Sequence, residues 1–200
     1  MLVKWVVAMR FVLVCLLLLV TSGIAGAEEA KSRNGVAFVI SEEGAHIGDL
    51  DAITRSIAAH RRALELTSRE KSPKDWAVTQ QALALAYFRL GEFTPGTENL
   101  LAAIQAYEAA MKVHTKDAYP SDWARAQHYM SNALYLLGQR NRDAKSVRRA
   151  VAAARKALGQ WTEQSDPALW ASAQNSLASS LEWLGNEGSS VDLLNEAIAA

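Results

Sequence analysis

The sequence predicts an all-α fold of repeated helix pairs, and the main observation behind it is an internal repeat of 47 residues. Repeats of about 20–50 residues are typical of proteins in which each helix pair stacks on the next and shares a core with its neighbours. Proline and glycine frame each copy, and apolar residues recur between them at helical spacing. The aligned sets are Pro73, Pro120 and Pro167; Trp76, Trp123 and Trp170; Gln80, Gln127 and Gln174; and Gly91, Gly138 and Gly185.

The first helix of each copy is predicted to begin at the aligned proline and to end at the aligned glycine. Proline is favoured at the first helical position, where its missing N–H is not needed, and Ser72 precedes Pro73 as a side-chain cap. Glycine ends many helices because it adopts positive φ without strain. Between these limits, one face of the helix carries residues at steps of three and four: Trp76, Gln80, Leu83, Ala84 and Tyr87.

The second helix of each copy carries large apolar residues at helical spacing, with alanines between them that let neighbouring helices approach closely. In the first full copy these sets are Leu100, Ile104, Tyr107 and Met111, and Ala103, Ala106 and Ala110. We expect the aligned tryptophans to lie at successive interfaces between copies, and the aligned glutamines to form hydrogen bonds across them. Truncating a buried tryptophan costs about 3–5 kcal/mol, so Trp123→Ala, in the middle copy, is predicted to reduce stability most.

The repeat divides residues 49–200 into a partial copy, two full copies and an incomplete copy: 49–72, 73–119, 120–166 and 167–200. Asp49 and Asp51 are predicted to cap the helix of the partial copy. Residues 28–48 have two interpretations: a degenerate first helix, which the alignment of Gly44 with Gly91 favours, or a strand or flexible lead around residues 35–40. The last copy is expected to lack the polar capping helix that usually closes a solenoid, which leaves an apolar edge.

Residues 1–27 have the pattern of a secretory signal peptide. Lys4 and Arg10 precede an apolar run over residues 11–20, and small residues lead to Ala27, after which we predict cleavage. The run is much shorter than the roughly 20 residues that span a bilayer; an uncleaved anchor is the alternative interpretation. The prediction is a periplasmic or secreted protein with no stable membrane span after cleavage.

The chain that remains offers few options for chemistry. Cleavage removes Cys15, the only cysteine, and lowers the basic count from 21 to 19 against 21 acidic residues, a net charge of −2. Without cysteine there is no thiolate or disulfide chemistry, and a near-neutral chain lacks the basic face of nucleic-acid binders. The histidines lack metal-ligand spacing, and no nucleophile elbow or phosphate loop occurs. We therefore expect no enzyme activity, catalytic residue, metal, cofactor or nucleic-acid partner.

A basic cluster in the third quarter of the chain has two interpretations. It consists of Arg140, Arg142, Lys145, Arg148 and Arg149. Such runs are commonly a solvated helix face, and the alternative is a patch that binds an acidic partner.

These features together resemble the tetratricopeptide repeat (TPR) family. The first helix of that family has a bulky residue, then Leu-Gly or Leu-Ala, an aromatic residue or leucine, and Gly-Asp or Gly-Glu. In this sequence Gln80, Leu83-Ala84, Tyr87 and Gly91-Glu92 fall on those steps. The resemblance covers about residues 49–200 and identifies a long bacterial variant, because the period is 47 rather than the family's usual 34. It implies a right-handed helix-turn-helix solenoid, a TPR-like superhelix.

The resemblance also implies a function, because TPR solenoids bind proteins or peptides along a concave surface lined by the first helices. Transferred to this sequence, that surface includes Val78 and Leu85, and the predicted protein-binding residues are Gln81, Phe88, Arg89, Arg125, His128, Asn132, Tyr135 and Asn175. Amide, aromatic and arginine side chains suit recognition of an extended peptide. The predicted function is a secreted or periplasmic scaffold for protein–protein interaction.

Two questions stay open at this point. The apolar members of that surface have a second interpretation, packing between adjacent helices, whereas Arg89, Arg125, His128 and Asn132 are expected to be exposed. The function also has alternatives: a self-assembling structural solenoid, with homo-oligomers formed through the uncapped last copy, or an accessory subunit of an envelope complex.

Overall fold

The regular structure in the described part of the chain is entirely helical, as the sequence predicts. The computed structural model describes residues 26–188, with side chains from Asn34 to Glu187 except that of Ile47. Its helices are α1 (Gly26–Ile47), α2 (Leu50–Leu66), α3 (Pro73–Phe93), α4 (Glu98–Met111), α5 (Pro120–Asn141), α6 (Ala144–Leu158) and α7 (Pro167–Gly188). Almost all of the predicted signal peptide, and the end of the last copy with its predicted uncapped edge, lie outside the described residues.

Each helix packs against the next one along the chain. We call α1, α3, α5 and α7 the A helices, since they occupy the first position in successive pairs, and α2, α4 and α6 the B helices. Each A helix also contacts the following A helix, and the B helices α4 and α6 are joined by an ion pair between Glu108 and Arg149 at 3.0 Å. Residues 28–47, for which the sequence left helix and strand open, belong to α1 and pack on α2 as later A helices pack on their B helices; Gly48 follows α1 with a positive φ of 72°.

Proline and aspartate account for most of the helix starts. The aligned prolines are the first residues of α3, α5 and α7, as predicted. Asp49 caps α2, where its side chain accepts a hydrogen bond from the Ala52 N–H at 2.9 Å, and Asp143 caps α6 in the same way. Asp51 lies inside the first turn of α2. The expected side-chain cap at Ser72 is wrong, because Ser72 forms no capping hydrogen bond and the proline alone sets the helical φ.

The expectation that the aligned glycines end the A helices is wrong, since α3 and α5 continue past them. These glycines instead allow a close approach between each A helix and its B helix. A Cβ at Gly91 would lie 2.7 Å from Leu100 Cδ2, closer than non-bonded atoms pack. In successive pairs the missing Cβ leaves room for the residue nine positions later: Ile53 beside Gly44, Leu100 beside Gly91, and Val147 beside Gly138.

The aligned tryptophans are less buried than the sequence suggests. Trp76, Trp123 and Trp170 are each half-buried, whereas Trp161, which follows α6, is only 2% exposed. Trp161 packs among three buried alanines, and Trp123 and Trp170 pack against the outside of this cluster. Trp161 is therefore the most buried of the described tryptophans. We expect its truncation, rather than that of Trp123, to reduce stability most.

Candidate binding site

A pocket of about 250 Å³ lies where α1, α3 and α5 approach one another. The 47-residue repeat relates its walls. Asn34, Gly35 and Phe38 of α1 occupy the same repeat positions as Gln81, Ala82 and Leu85 of α3, and all six line the pocket. Val78 of α3 and Arg125 of α5 form a further equivalent pair. Two more residues of α5, Ala126 and Tyr129, and one residue of α4, Tyr107, complete the lining. The pocket is thus built from one face of three successive A helices.

The pocket is chiefly apolar and open at its rim. Phe38 is 44% exposed and Val78 41%, whereas Leu85 is buried. Tyr107, fully buried, stacks on Tyr129 with ring planes 13° apart and centroids separated by 6.4 Å. Apolar groups at the rim and aromatic rings inside give a surface that can take up an apolar group from a ligand.

Tyr107 brings an unusual polar group to this apolar site. Its hydroxyl is buried and has no hydrogen-bond partner within the described part of the chain. Burial raises the pKa of Tyr107 well above its ordinary value, so the phenol stays neutral and keeps both its donor and its acceptor. Most buried polar groups in proteins are paired, so this unpaired hydroxyl, which is closed off from solvent, is an exception in the core beside the pocket.

Gln81, at one side of the pocket, joins two successive helix pairs. Its Nε2 donates to the main-chain carbonyl of Asp122 in α5 at 2.9 Å and lies 3.1 Å from His114 Nδ1. His114 follows α4, is fully buried, and packs on the Tyr119 ring with centroids 4.9 Å apart. We call Gln81, His114 and Asp122 the central junction.

One repeat later, His128 and Trp161 occupy the positions of Gln81 and His114. Together with Ser172 they form a contact that we call the C-terminal junction. His128 Nε2 lies 3.2 Å from Ser172 Oγ, and its ring meets the Trp161 ring edge-on at 5.8 Å. Burial lowers the pKa of His128 to about 4, so the ring is neutral at pH 7. The expected exposure of His128 is wrong: it is 3% exposed, because Trp161 and α7 cover it.

The remaining predicted site residues do not share the pocket with Gln81 and Arg125. Phe88 is buried in the core between helices, so its packing interpretation is the correct one. Arg89 is half-buried and pairs with Glu42 at 3.4 Å and Glu92 at 3.1 Å. Three residues lie further along the A helices: Asn132, half-buried; Tyr135, half-buried and hydrogen-bonded to Gln139; and Asn175, exposed. Of these eight predicted residues, the pocket brings together only Gln81 and Arg125.

Arg125 is the charged group at the pocket. Its side chain is 47% exposed, and its Nη1 lies 3.6 Å from Asp122 Oδ1 one turn earlier in α5. An exposed pair of this kind contributes little to stability, so the guanidinium can exchange its contact with Asp122 for one with a ligand.

Two polar features have roles other than those expected. Gln127 is buried, but its Oε1 has no hydrogen-bond partner among the described residues. A bond between successive helix pairs is made by Gln81, which is not one of the aligned glutamines. Within the basic cluster, Arg140 donates to the carbonyls of Gly91 at 2.7 Å and Gly96 at 2.6 Å. Arg140 therefore holds the α3–α4 turn of the preceding pair, a structural role that neither interpretation of the cluster anticipated.

Seven pocket residues are absent from the sequence-based site: Asn34, Gly35, Phe38, Ala82, Tyr107, Ala126 and Tyr129. The signal for the first three was present, since a shift of 47 residues aligns Phe38 with Leu85 and Asn34 with Gln81. This alignment is weak evidence by itself, because α1 lacks the proline and tryptophan that open later copies. The helical spacing of Tyr107 indicated only a core residue.

Within the part of the chain that the structure describes, no three His, Asp or Glu side chains are grouped so that they could hold a metal ion. Across residues 26–188, none of the helices has the length and apolar character that crossing a bilayer requires. Compared with models of protein families and with curated proteins, the chain matches none.

Proposed function

We propose that this protein is a TPR-like solenoid scaffold, secreted or periplasmic, that binds a partner protein by holding an extended peptide segment along its A helices. The observation that carries the proposal is the pocket formed by equivalent positions of α1, α3 and α5. A surface that repeats along successive helices suits a ligand that is itself a repeating chain.

The packing of the helices supports the solenoid part of the proposal. Contacts join each described helix to its first neighbour and each A helix to the next A helix. In a solenoid each repeat contacts only its neighbours, which leaves one face of the A helices open along the array. The secretory pattern of residues 1–27 supports the proposed location.

The character of the open face supports a peptide as the ligand. Phe38 and Val78 expose apolar surface at the pocket rim, and Arg125, whose side chain is 47% exposed, adds a charged group beside it. Binding sites typically combine an apolar lining with a few polar groups that fix the orientation of the ligand.

A selection from a library of short random peptides displayed on phage tests the proposal with the full chain as target. Two variants provide a matched comparison, because each places a carboxylate on an exposed apolar helix position. Val78→Asp changes the pocket rim, where Val78 is 41% exposed, and Leu101→Asp changes α4 away from the pocket, where Leu101 is 45% exposed. We expect selected peptides to lose at least about tenfold in affinity for Val78→Asp and to bind Leu101→Asp as they bind the original chain. Failure to select any peptide, or equal effects of the two variants, contradicts the proposal.

A further inference from the structure

We propose that a second pocket, between the C-terminal ends of α1 and α3, binds a positively charged lysine or arginine side chain of the bound peptide. This pocket, which we call the polar pocket, has a volume of about 400 Å³. It is lined by Glu42, Ala45, His46, Arg89, Glu92 and Phe93. The inference rests on the proposed function and adds a charged contact to the apolar contact at the pocket between α1, α3 and α5.

The polar pocket lies on the same faces of α1 and α3 as the apolar pocket. Glu42 comes one helical turn after Phe38 in α1, and Arg89 comes one turn after Leu85 in α3. Residues four and eight positions apart share a helix face and lie about 6 and 12 Å apart along the axis. An extended peptide spans about 3.3 Å per residue, so a single segment with an apolar side chain in one pocket reaches the other about two to four residues later.

The charges in the polar pocket favour a cation. Arg89 lies 3.4 Å from Glu42 and 3.1 Å from Glu92, so one positive charge faces two negative ones. Each contact uses one carboxylate oxygen, and among the described residues no hydrogen bond reaches the other oxygen of either group. A cation that enters the pocket can bind these oxygens through charge-assisted hydrogen bonds, whereas an anion would meet an excess of negative charge.

Phe93 and Ala45 suit the aliphatic part of a long cationic side chain. Phe93 lines the polar pocket and is 48% exposed. Lysine and arginine bury their apolar stems along such surfaces while the charged group stays in a polar environment, and the face of an aromatic ring attracts a cation. The pocket therefore offers contacts to both parts of the side chain.

The neighbouring interface contains a guanidinium of the chain itself. Arg140 of α5 has the same repeat position as Phe93, and it donates to the carbonyls of Gly91 at 2.7 Å and Gly96 at 2.6 Å. The end of α3 thus accepts an arginine from the next A helix. At the interface of α1 and α3 the equivalent residue is Phe93, which has no donor, and a ligand can supply the cation there.

Titration of the full chain with two blocked amino acids tests this inference by amide chemical shifts. Nα-acetyl-arginine methylamide and Nα-acetyl-citrulline methylamide have nearly the same shape, but only the arginine derivative is charged. We expect the arginine derivative to bind at least about tenfold more tightly, since charged hydrogen bonds are about twice as strong as neutral ones. It should shift the signals of Ala45 and Phe93, and high salt should reduce its preference by screening the charges.

Two double variants show whether the carboxylates of the polar pocket are responsible. Glu42→Gln, Glu92→Gln removes both and should bring the ratio of the two affinities to about one. Glu65→Gln, Glu70→Gln is the matched control, because it removes the same charge from exposed positions outside the polar pocket, and it should keep the original ratio.

A third variant leaves the partners of Arg89 in place. Phe93→Ala changes an exposed side chain and should weaken the arginine derivative about threefold while the circular dichroism spectrum stays helical. Equal affinity for the two derivatives, no binding of either, or a preference that survives removal of both carboxylates overturns the inference. If Glu42→Gln, Glu92→Gln does not fold, Phe93→Ala decides, and an undiminished affinity there overturns it as well.

The inference and the proposed function can fail separately. If peptides bind in a Val78-dependent manner but the arginine derivative binds no better than the citrulline derivative, the cation assignment is wrong and the scaffold proposal stands. If the arginine preference depends on Glu42 and Glu92 but no peptide is selected, the polar pocket binds a cation and the peptide scaffold is wrong.

Discussion

The central and C-terminal junctions share two positions of the repeat but have different side chains there, and the difference explains where the pocket lies. Gln81 and His114 in one correspond to His128 and Trp161 in the other. Ala124, Ala157 and Ala173 pack around Trp161, and the alanines at the equivalent positions one repeat earlier, Ala77, Ala110 and Ala126, are also buried. Two large rings fill the C-terminal junction, whereas the central junction is a polar contact beside an open pocket. The repeat thus sets the helix packing, and individual residues decide which interface stays open.

The largest expected effect is at the C-terminal junction. Trp161 is 2% exposed among alanines, so Trp161→Ala should leave a cavity and cost about 3–5 kcal/mol. Trp123→Ala, at a half-buried tryptophan, should cost clearly less, and His114→Ala, at the equivalent position of the central junction, about 1–3 kcal/mol. Urea unfolding of the three variants measures these costs. A loss for Trp123→Ala as large as that for Trp161→Ala would show that the burial of Trp161 does not govern this region.

Acid should weaken the fold through its buried histidines. Burial lowers the pKa of His128 and of His60 from 6.5 to about 4. Because the folded pKa lies below the unfolded one, each neutral ring stabilises the fold above pH 6.5, and that contribution is lost as the pH falls towards 4. Each shift corresponds to about 3 kcal/mol.

Melting temperatures between pH 7 and pH 4 measure this loss, with two variants for comparison. In His128→Gln, position 128 carries glutamine, the residue found at the equivalent position 81 of the central junction. This variant should lose much less of its melting temperature between pH 7 and pH 4 than the original chain. His46→Gln changes an exposed histidine of α1 and should leave the curve as it is. Superimposable curves for the two variants would rule out His128 as a source of the acid sensitivity.

Exchange of side chains between the junctions should have a smaller effect. Gln81→Leu removes the donor to His114 and to the Asp122 carbonyl and should cost about 2 kcal/mol, since buried groups lose their partner. The double variant Gln81→His, His114→Trp places the His128–Trp161 pair at the equivalent positions of the central junction. It should recover part of the stability that Gln81→Leu loses. Guanidinium unfolding compares them. A double variant less stable than Gln81→Leu would mean that the two junctions do not offer equivalent space to these side chains.

The smallest effect concerns the aligned glycines. A Cβ at Gly138 would meet the stiff side chain of Val147 and lie 3.0 Å from the Asp143 carbonyl oxygen, whereas at Gly91 the nearest atom is the flexible end of Leu100. Alanine gains about 1 kcal/mol over glycine in a helix interior, which should offset the strain at Gly91. Gly138→Ala should therefore be about 1 kcal/mol less stable than Gly91→Ala by thermal unfolding. The reverse order would contradict this packing.

Much of the fold could be predicted because its signals are local and repeated. Proline at the first helical position and apolar residues at helical spacing marked α3, α5 and α7 in the same way. The glycines were misinterpreted because a helix end and a close helix crossing both favour a missing Cβ, and only the position of Leu100 distinguishes them. Trp161 was overlooked because it aligns with His114 rather than with another tryptophan.

The site was less predictable, because it depends on which faces of neighbouring helices remain uncovered. Gln81 and Arg125 were placed by the family resemblance and do line the pocket. His128 has the same repeat position as Gln81, yet Trp161 covers it. The repeat position therefore determines the direction in which a side chain points. Its exposure also depends on the size of residues that are distant in the sequence, as Trp161 is from His128.

The most direct test of the scaffold account is photo-crosslinking of a selected peptide to the full chain. A benzophenone amino acid replaces Val78 at the pocket rim in one sample and Leu101 on α4 in the other, two apolar positions of similar exposure. The account predicts that the peptide crosslinks at position 78 and not at position 101. Equal crosslinking at both positions, or crosslinking at 101 alone, would contradict it.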